Sequence, residues 1–199
     1  MTWGQIRLTT LQKMFSSDGI TIDENDDSIK EYLYSMPAAA NEAIRMLVTS
    51  GIQVRSSNII EKTDSKPLVV DVSAENADFW RMNMPEVYKL TDDGDIQPYN
   101  SCVLLGGHYL RFPASAMGEF EYYYDAMPTE IKQDTPDETE IAIAPEAAVL
   151  IPLYMASELY KDDDLSTATY YRNEFEAGMA LLRNNVTGSS SFTSTTGWW

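Results

Sequence analysis

The sequence predicts an α+β fold: an α-helical bundle from N- and C-terminal helices, with an inserted antiparallel β module and an extended C-terminal arm. Three observations carry this expectation. Apolar residues recur at steps of three and four near the start and again over 145–182, which places them on one face of a helix. Between these regions, short β-type runs are broken by Gly, Pro, Asn and Asp, the grammar of strands and turns. Beyond Arg183 the chain turns to Asn, Thr, Gly and Ser, too polar to bury a core of its own. The boundaries that follow are 1–51 for N-terminal helices, 52–143 for a β-rich insertion, 144–183 for a helical hairpin and 184–199 for a flexible arm. The 199 residues, 44% of them hydrophobic, are enough for a substantial core.

Thr2 and Gln5 have the spacing of a capping box, and Leu8, Leu11 and Phe15 follow at helical intervals, so a first helix is expected to stop near Ser16 to Gly19. An acidic loop with Asp23, Glu24, Asp26 and Asp27 comes next. Ser28 with Glu31 forms a second possible capping box, opening a helix to about Thr49 whose stripe is Ile29, Leu33, Met36, Ala40, Ile44 and Leu47. Pro37 should kink this helix or split it, with Ser35 recapping the second piece. Gly51 stands where a helix stop belongs.

From Ile52 the expected strands include Gln53 to Glu61, Leu68 to Val72, Val87 to Leu90 and Cys102 to Leu105. Tyr109 to Phe112 and Glu119 to Tyr124 flank Pro113 to Gly118 and read as a hairpin, with Phe120, Tyr122 and Tyr124 on one face. Asp92, Asp93, Gly94 and Asp95 supply another turn. Helix returns at Pro145, suited to a first helical position, with Ala148, Ile151, Met155 and Leu159 as its stripe and Pro152 as a bend. Asp162, Asp163 and Asp164 supply the next N-cap, before a last helix with Ala168, Tyr171, Phe175, Met179 and Leu182 on its face.

The composition excludes several function classes. Thirty-one acidic residues against 14 basic give a formal net charge of -17, a surface that repels phosphates and cannot gain nucleic-acid affinity by counterion release. One cysteine, Cys102, and one histidine, His108, leave no disulfide and no Cys/His metal set, and the cytoplasm is the natural place of folding. No apolar run nears the twenty residues of a membrane span, so no membrane partner is expected. Asp23, Asn25 and Asp27 alternate as in a calcium loop, but Ser28 stands where that loop needs Gly and Tyr34 where it needs Glu. Gly106 and Gly107 lack the Lys-Ser/Thr that would make a phosphate cradle, and read as a bend or bulge. His108 reads as a strand-edge residue, Cys102 as a small buried one, and Phe120, Tyr122, Tyr123 and Tyr124 as sheet packing in preference to a stacking platform. No catalytic, cofactor or metal residue is assigned and no cofactor is expected.

The stretch "APEAAVLIPLYMASELYKDDDLSTATYYRNEFEAGMALL" resembles the two antiparallel C-terminal helices, joined by a short acidic turn, of the head-to-tail adaptor (connector or head-completion) proteins of tailed bacteriophages. Before it, "GHYLRFPASAMGEFEYYYDAMPTEI" looks like that family's β-hairpin, and "SIKEYLYSMPAAANEAIRML" resembles its N-terminal helix. The resemblance covers most of residues 1 to 183, through pattern and order without a catalytic motif. The β region looks larger than in minimal adaptors, as an elaborated hairpin or an inserted sandwich. The resemblance implies a structural, non-enzymatic virion protein in the neck between capsid and tail. It further implies a homo-oligomeric ring, typically of twelve copies, docked on the portal protein, meeting tail or nozzle proteins and extending a channel through which DNA passes non-specifically.

The acidity suits a channel wall that must not grip phosphates. Phe192, Trp198 and Trp199, set in a polar tail, are candidate anchors for a partner interface on the portal or a neighbouring subunit. A stopper or tail-completion protein of the same neck is the near alternative. An acidic carbohydrate-binding module or hydrolase using the aromatic hairpin and nearby carboxylates is the alternative of another class.

Overall fold

Thr2 and Gln5 bond reciprocally, the Thr2 N–H donating to Gln5 Oε1 at 3.0 Å and the Gln5 N–H to Thr2 Oγ1 at 3.3 Å. This box opens α1 (Trp3–Phe15). The computed structural model describes residues 1–15, 22–23, 26–91 and 93–187, so the expected stop at Ser16 to Gly19 lies outside the described residues. The buried face of α1 is Trp3, Ile6, Thr10, Leu11 and Met14, while Leu8 is half-buried and Phe15 exposed. The expected stripe is thus rotated. Trp3 and Ile6 set the face, and Thr10 joins it because its hydroxyl donates to the Ile6 carbonyl at 2.8 Å, which removes the cost of burying it.

The capping box expected at Ser28 does not form. The Ser28 N–H and hydroxyl both donate to Asp26 Oδ1, at 2.9 and 2.7 Å, and α2 (Lys30–Thr49) starts from Ile29 without a side-chain cap. Pro37 is buried inside this single helix, so the split at Ser35 does not occur. Met36, Ala40, Ile44 and Leu47 form the buried face as expected. Gly51, at φ 115°, ends the helix. Its N–H donates to Val48 O at 3.1 Å and the Ile52 N–H reaches back to Leu47 O at 3.2 Å, a Schellman closure sealed by buried Ile52 and Leu47.

Near the C-terminus the expected bent helix is two elements, α4 (Pro145–Ala148) and α5 (Ile151–Leu159). Pro152 sits in the first turn of α5, where its missing N–H costs nothing, so it starts a helix instead of bending one. Asp164 accepts from the Ser166 and Thr167 N–H groups at 2.9 and 3.1 Å and opens α6 (Leu165–Thr187) as expected. A bond from the Thr167 hydroxyl, reinforced by these two N–H groups, holds the Asp164 carboxyl below its ordinary range. Helix α5 packs against α1, α2 and α6, and Tyr154 meets Phe175 edge to face at 5.1 Å.

Two compact units result, Met1–Ile52 with Thr129–Trp199, and Gln53–Pro128. In the first, residues 129–144 form an irregular strap over the N-terminal helices, although the β-rich stretch was expected to run to 143. Trp3 and Gly4 N–H groups donate to Thr139 O and Asp137 O at 2.8 and 2.9 Å, and Arg7 pairs with Asp137 at 2.7 Å. Asn41 holds both backbone groups of Ile131, at 2.8 and 2.9 Å.

The second unit contains two antiparallel sheets around one core. β1 (Arg55–Lys62), β7 (Gly118–Ala126), β3 (Phe79–Leu90) and β4 (Ile96–Pro98) form one in that order. β2 (Leu68–Asp71), β6 (Tyr109–Phe112) and β5 (Val103–Leu105) form the other, and the one-turn helix α3 (Val72–Glu75) follows β2. The hairpin expected between Tyr109–Phe112 and Glu119–Tyr124 is therefore corrected: β6 and β7 lie in different sheets. Phe112 and Phe120 meet at 5.1 Å as facing core residues. The real hairpin is β5–β6, joined by the three residues Gly106 to His108, with Gly106 and Gly107 at φ 58° and 77° and the His108 N–H donating to Leu105 O at 3.3 Å. Thr91 to Asp95 turns β3 into β4, with Gly94 at φ 82°, although Asp92 lies outside the described residues. Strand β3 starts well before the expected Val87 to Leu90, and the strand beyond the expected Asp92–Asp95 turn is β4. The register of β3 against β7 shifts between Arg81 and Glu86, and Pro98 closes a strand on the sheet edge.

Candidate interaction surfaces

Phe120, Tyr122 and Tyr124 are buried in the core shared by the two sheets. Burial of each such ring contributes about 1.5–3 kcal/mol, and their polar ends are satisfied. Tyr122 Oη accepts from Asn76 Nδ2 at 2.8 Å and Tyr124 donates to Asp78 Oδ1 at 2.8 Å. Desolvation raises both phenols above their usual range. These three pack the core, whereas Tyr123 lies half-buried on the other face of β7, its ring edge to face with Tyr88 at 5.7 Å and beneath the Arg55 guanidinium at 5.8 Å. A shallow groove of about 220 Å³ on this unit is bordered by Glu86 and Asp125, but Arg55 pairs with Glu86 at 2.5 Å and Arg81 with Asp125 at 2.9 Å. Two neutralised, separately held carboxylates are poor partners for acid/base hydrolysis.

His108 is half-buried beside the β5–β6 turn, its Nδ1 2.8 Å from Gly106 O, which satisfies the ring locally. Cys102 is buried, and desolvation pushes its thiol up to about 11, far from a reactive thiolate. In the acidic loop Asp27 lies 3.8 Å from Lys30, while Glu24 and Asn25 fall outside the described residues. Among the described residues no group of three or more His, Cys, Asp or Glu could hold a metal ion, and no helix is long and apolar enough to cross a membrane. Phe192, Trp198 and Trp199 also lie outside the described residues.

What the surface offers is apolar faces without an intramolecular cover. Helix α6 turns Ala168 and Phe175 into the helical unit, yet leaves Tyr170 59% and Leu181 66% exposed. Helix α2 leaves Tyr34 74% exposed, opposite its buried stripe. On the outer side of the β2-β6-β5 sheet, Val69, Arg111 and Val103 form one row and Asp71, Tyr109 and Leu105 the next, with Val69, Val103, Leu105 and Tyr109 exposed. Exposed large apolar side chains grouped on regular elements are the mark of assembly surfaces. The sequence does hold a signal for the α6 group, since Tyr170, Ala177 and Leu181 recur at helical spacing beside the expected stripe.

No curated protein matches the chain. The family model described as SU10 adaptor protein matches residues 1–196, and on that near-complete match the chain belongs to this family of phage head-to-tail adaptors, structural proteins of the virion neck.

Proposed function

We propose that the chain works by assembly: copies close into a ring, twelve in number, that docks on the portal protein, receives the tail or nozzle proteins and extends the DNA channel between them. The family match carries this reading, and the exposed Tyr170 and Leu181 of α6 with Tyr34 of α2 support it, because a subunit that must meet copies of itself keeps such side chains outside. The helices gathered on α5 serve as the bundle of the ring, and the β unit is an insertion carried on it. A net charge of -17 suits a lumen past which DNA slides without adhesion. Residues 184–199 act as a docking arm, with Phe192, Trp198 and Trp199 as anchors on the portal or a neighbouring subunit. Helix α6 runs to Thr187, so the arm proper starts beyond it.

Single-particle imaging of virion necks tests the reading. A ring of this chain directly below the portal, with carboxylates facing the lumen, is the expected result. Absence of the chain from particles refutes the function, and a neutral or basic lumen refutes the role given to the charge. Removing residues 185–199 should lower portal-bound rings at least tenfold, whereas undiminished docking removes the arm from the account.

A further inference from the structure

We propose that the ring closes by antiparallel packing of the outer face of α2 in one copy against the outer face of α6 in the next, with Ala38 opposite Ala177. This deepens the adaptor reading and rests on it. Helix α6 has two faces. Ala168 and Phe175 are buried, and on the opposite side Tyr170, Glu174, Ala177 and Leu181 follow at steps of four, three and four, all exposed. Helix α2 repeats the arrangement: behind its buried stripe lie Tyr34, Ala38 and Arg45, all exposed, at i, i+4 and i+11. Asn41, the remaining position, is taken by the backbone of Ile131.

The spacings match when the helices run in opposite directions. Setting Ala38 against Ala177 places Tyr34 on Leu181 and Arg45 on Tyr170, one turn from Glu174. The paired alanines leave room at the centre of the contact, which the strap borders through Ile131 on Asn41 and Gln133 on the Tyr34 carbonyl, and the larger side chains fill its ends. A guanidinium over a phenol ring beside a carboxylate is a favourable triad. The charges are complementary and otherwise unused: among the described residues neither Arg45 nor Glu174 makes an ion pair, in a chain with only 14 basic residues. Glu42 falls opposite Asn173, so the same register sets no acid against it. The two faces differ, so the contact is heterologous and propagates from copy to copy until rotation closes it.

The test uses phage particles assembled with full-length variants in a Cys102→Ser background. Ala38→Cys with Ala177→Cys should give, on oxidation, a ladder of covalently linked multiples, while either substitution alone gives monomers. Arg45→Glu should lower incorporation at least fivefold, and Glu174→Arg added to it should restore most of that loss. The interface is overturned by monomers only in particles that contain the chain at normal level, together with indifference to charge reversal. It is equally overturned if the Ala177→Cys variant cross-links to the portal or a tail protein instead of to a second copy. Absence of the unmodified chain from particles would instead sink the adaptor reading itself.

Discussion

Tyr154 is almost fully buried on α5, with the Arg172 guanidinium 4.6 Å from its ring centroid and the Phe175 ring against its edge. Desolvation raises its phenol to about 12 from an ordinary 10.0, with Arg172 opposing and Glu42 reinforcing the rise. An acid whose folded value lies above its unfolded one adds stability that is complete below pH 10 and lost as the pH climbs toward 12. Tyr32, bonded to the Asp163 carboxylate, is raised to about 12 and acts in the same window. Tyr154→Phe should therefore cost about 1 kcal/mol at neutral pH, through the lost hydroxyl bond, and flatten the alkaline fall in stability between pH 10 and 12. Urea unfolding across that range measures it, and superimposable alkaline profiles would show that the hydroxyl plays no part. The reverse window belongs to Asp26, Asp71 and Asp164, whose carboxyls are held low by hydroxyl and backbone donors from the residues just after them. Their contribution is present above about pH 4 and fades as the pH drops through their folded values.

Helix endings show what short-range chemistry can decide. Gly51 has open space around a notional Cβ, so Gly51→Ala meets no clash and costs only the left-handed backbone, about 1–2 kcal/mol. Gly51→Asn should lose less, and equal thermal stability of the alanine variant would remove the Schellman closure from the account. The features legible in the sequence were of this local kind: the Thr2–Gln5 box, the Gly51 stop, the Asp164 cap and the buried stripe of α2. Ser28 failed because a nearer acceptor, Asp26, took its hydroxyl, a competition that spacing alone does not resolve. The alternation of Phe120, Tyr122 and Tyr124 was real, but β7 pairs with β1 and β3, strands remote in sequence, so neighbouring runs were joined that the fold sets face to face. For the surfaces, Tyr34, Tyr170 and Leu181 stood in the pattern as second stripes, overshadowed by the core stripes beside them.

Across the whole molecule, the β unit leaves and returns through adjoining strand ends, since the Ala126 N–H donates to Val54 O at 2.7 Å. Replacing residues 53–128 by a short Gly/Ser linker should leave a helical protein that still unfolds cooperatively, as read by circular dichroism on heating. Loss of that cooperativity would show that the helical unit depends on the insertion. The strap has a different consequence, one that concerns time. Trp3, Gly4 and Arg7 find their partners at Thr139 and Asp137, and Thr2 bridges to Glu140. A ribosome adding about 5–20 residues each second therefore releases the first two helices many seconds before the segment that fastens them exists. Until then their apolar sides lack that fastening, and the β unit, formed by one continuous stretch, is positioned to mature first.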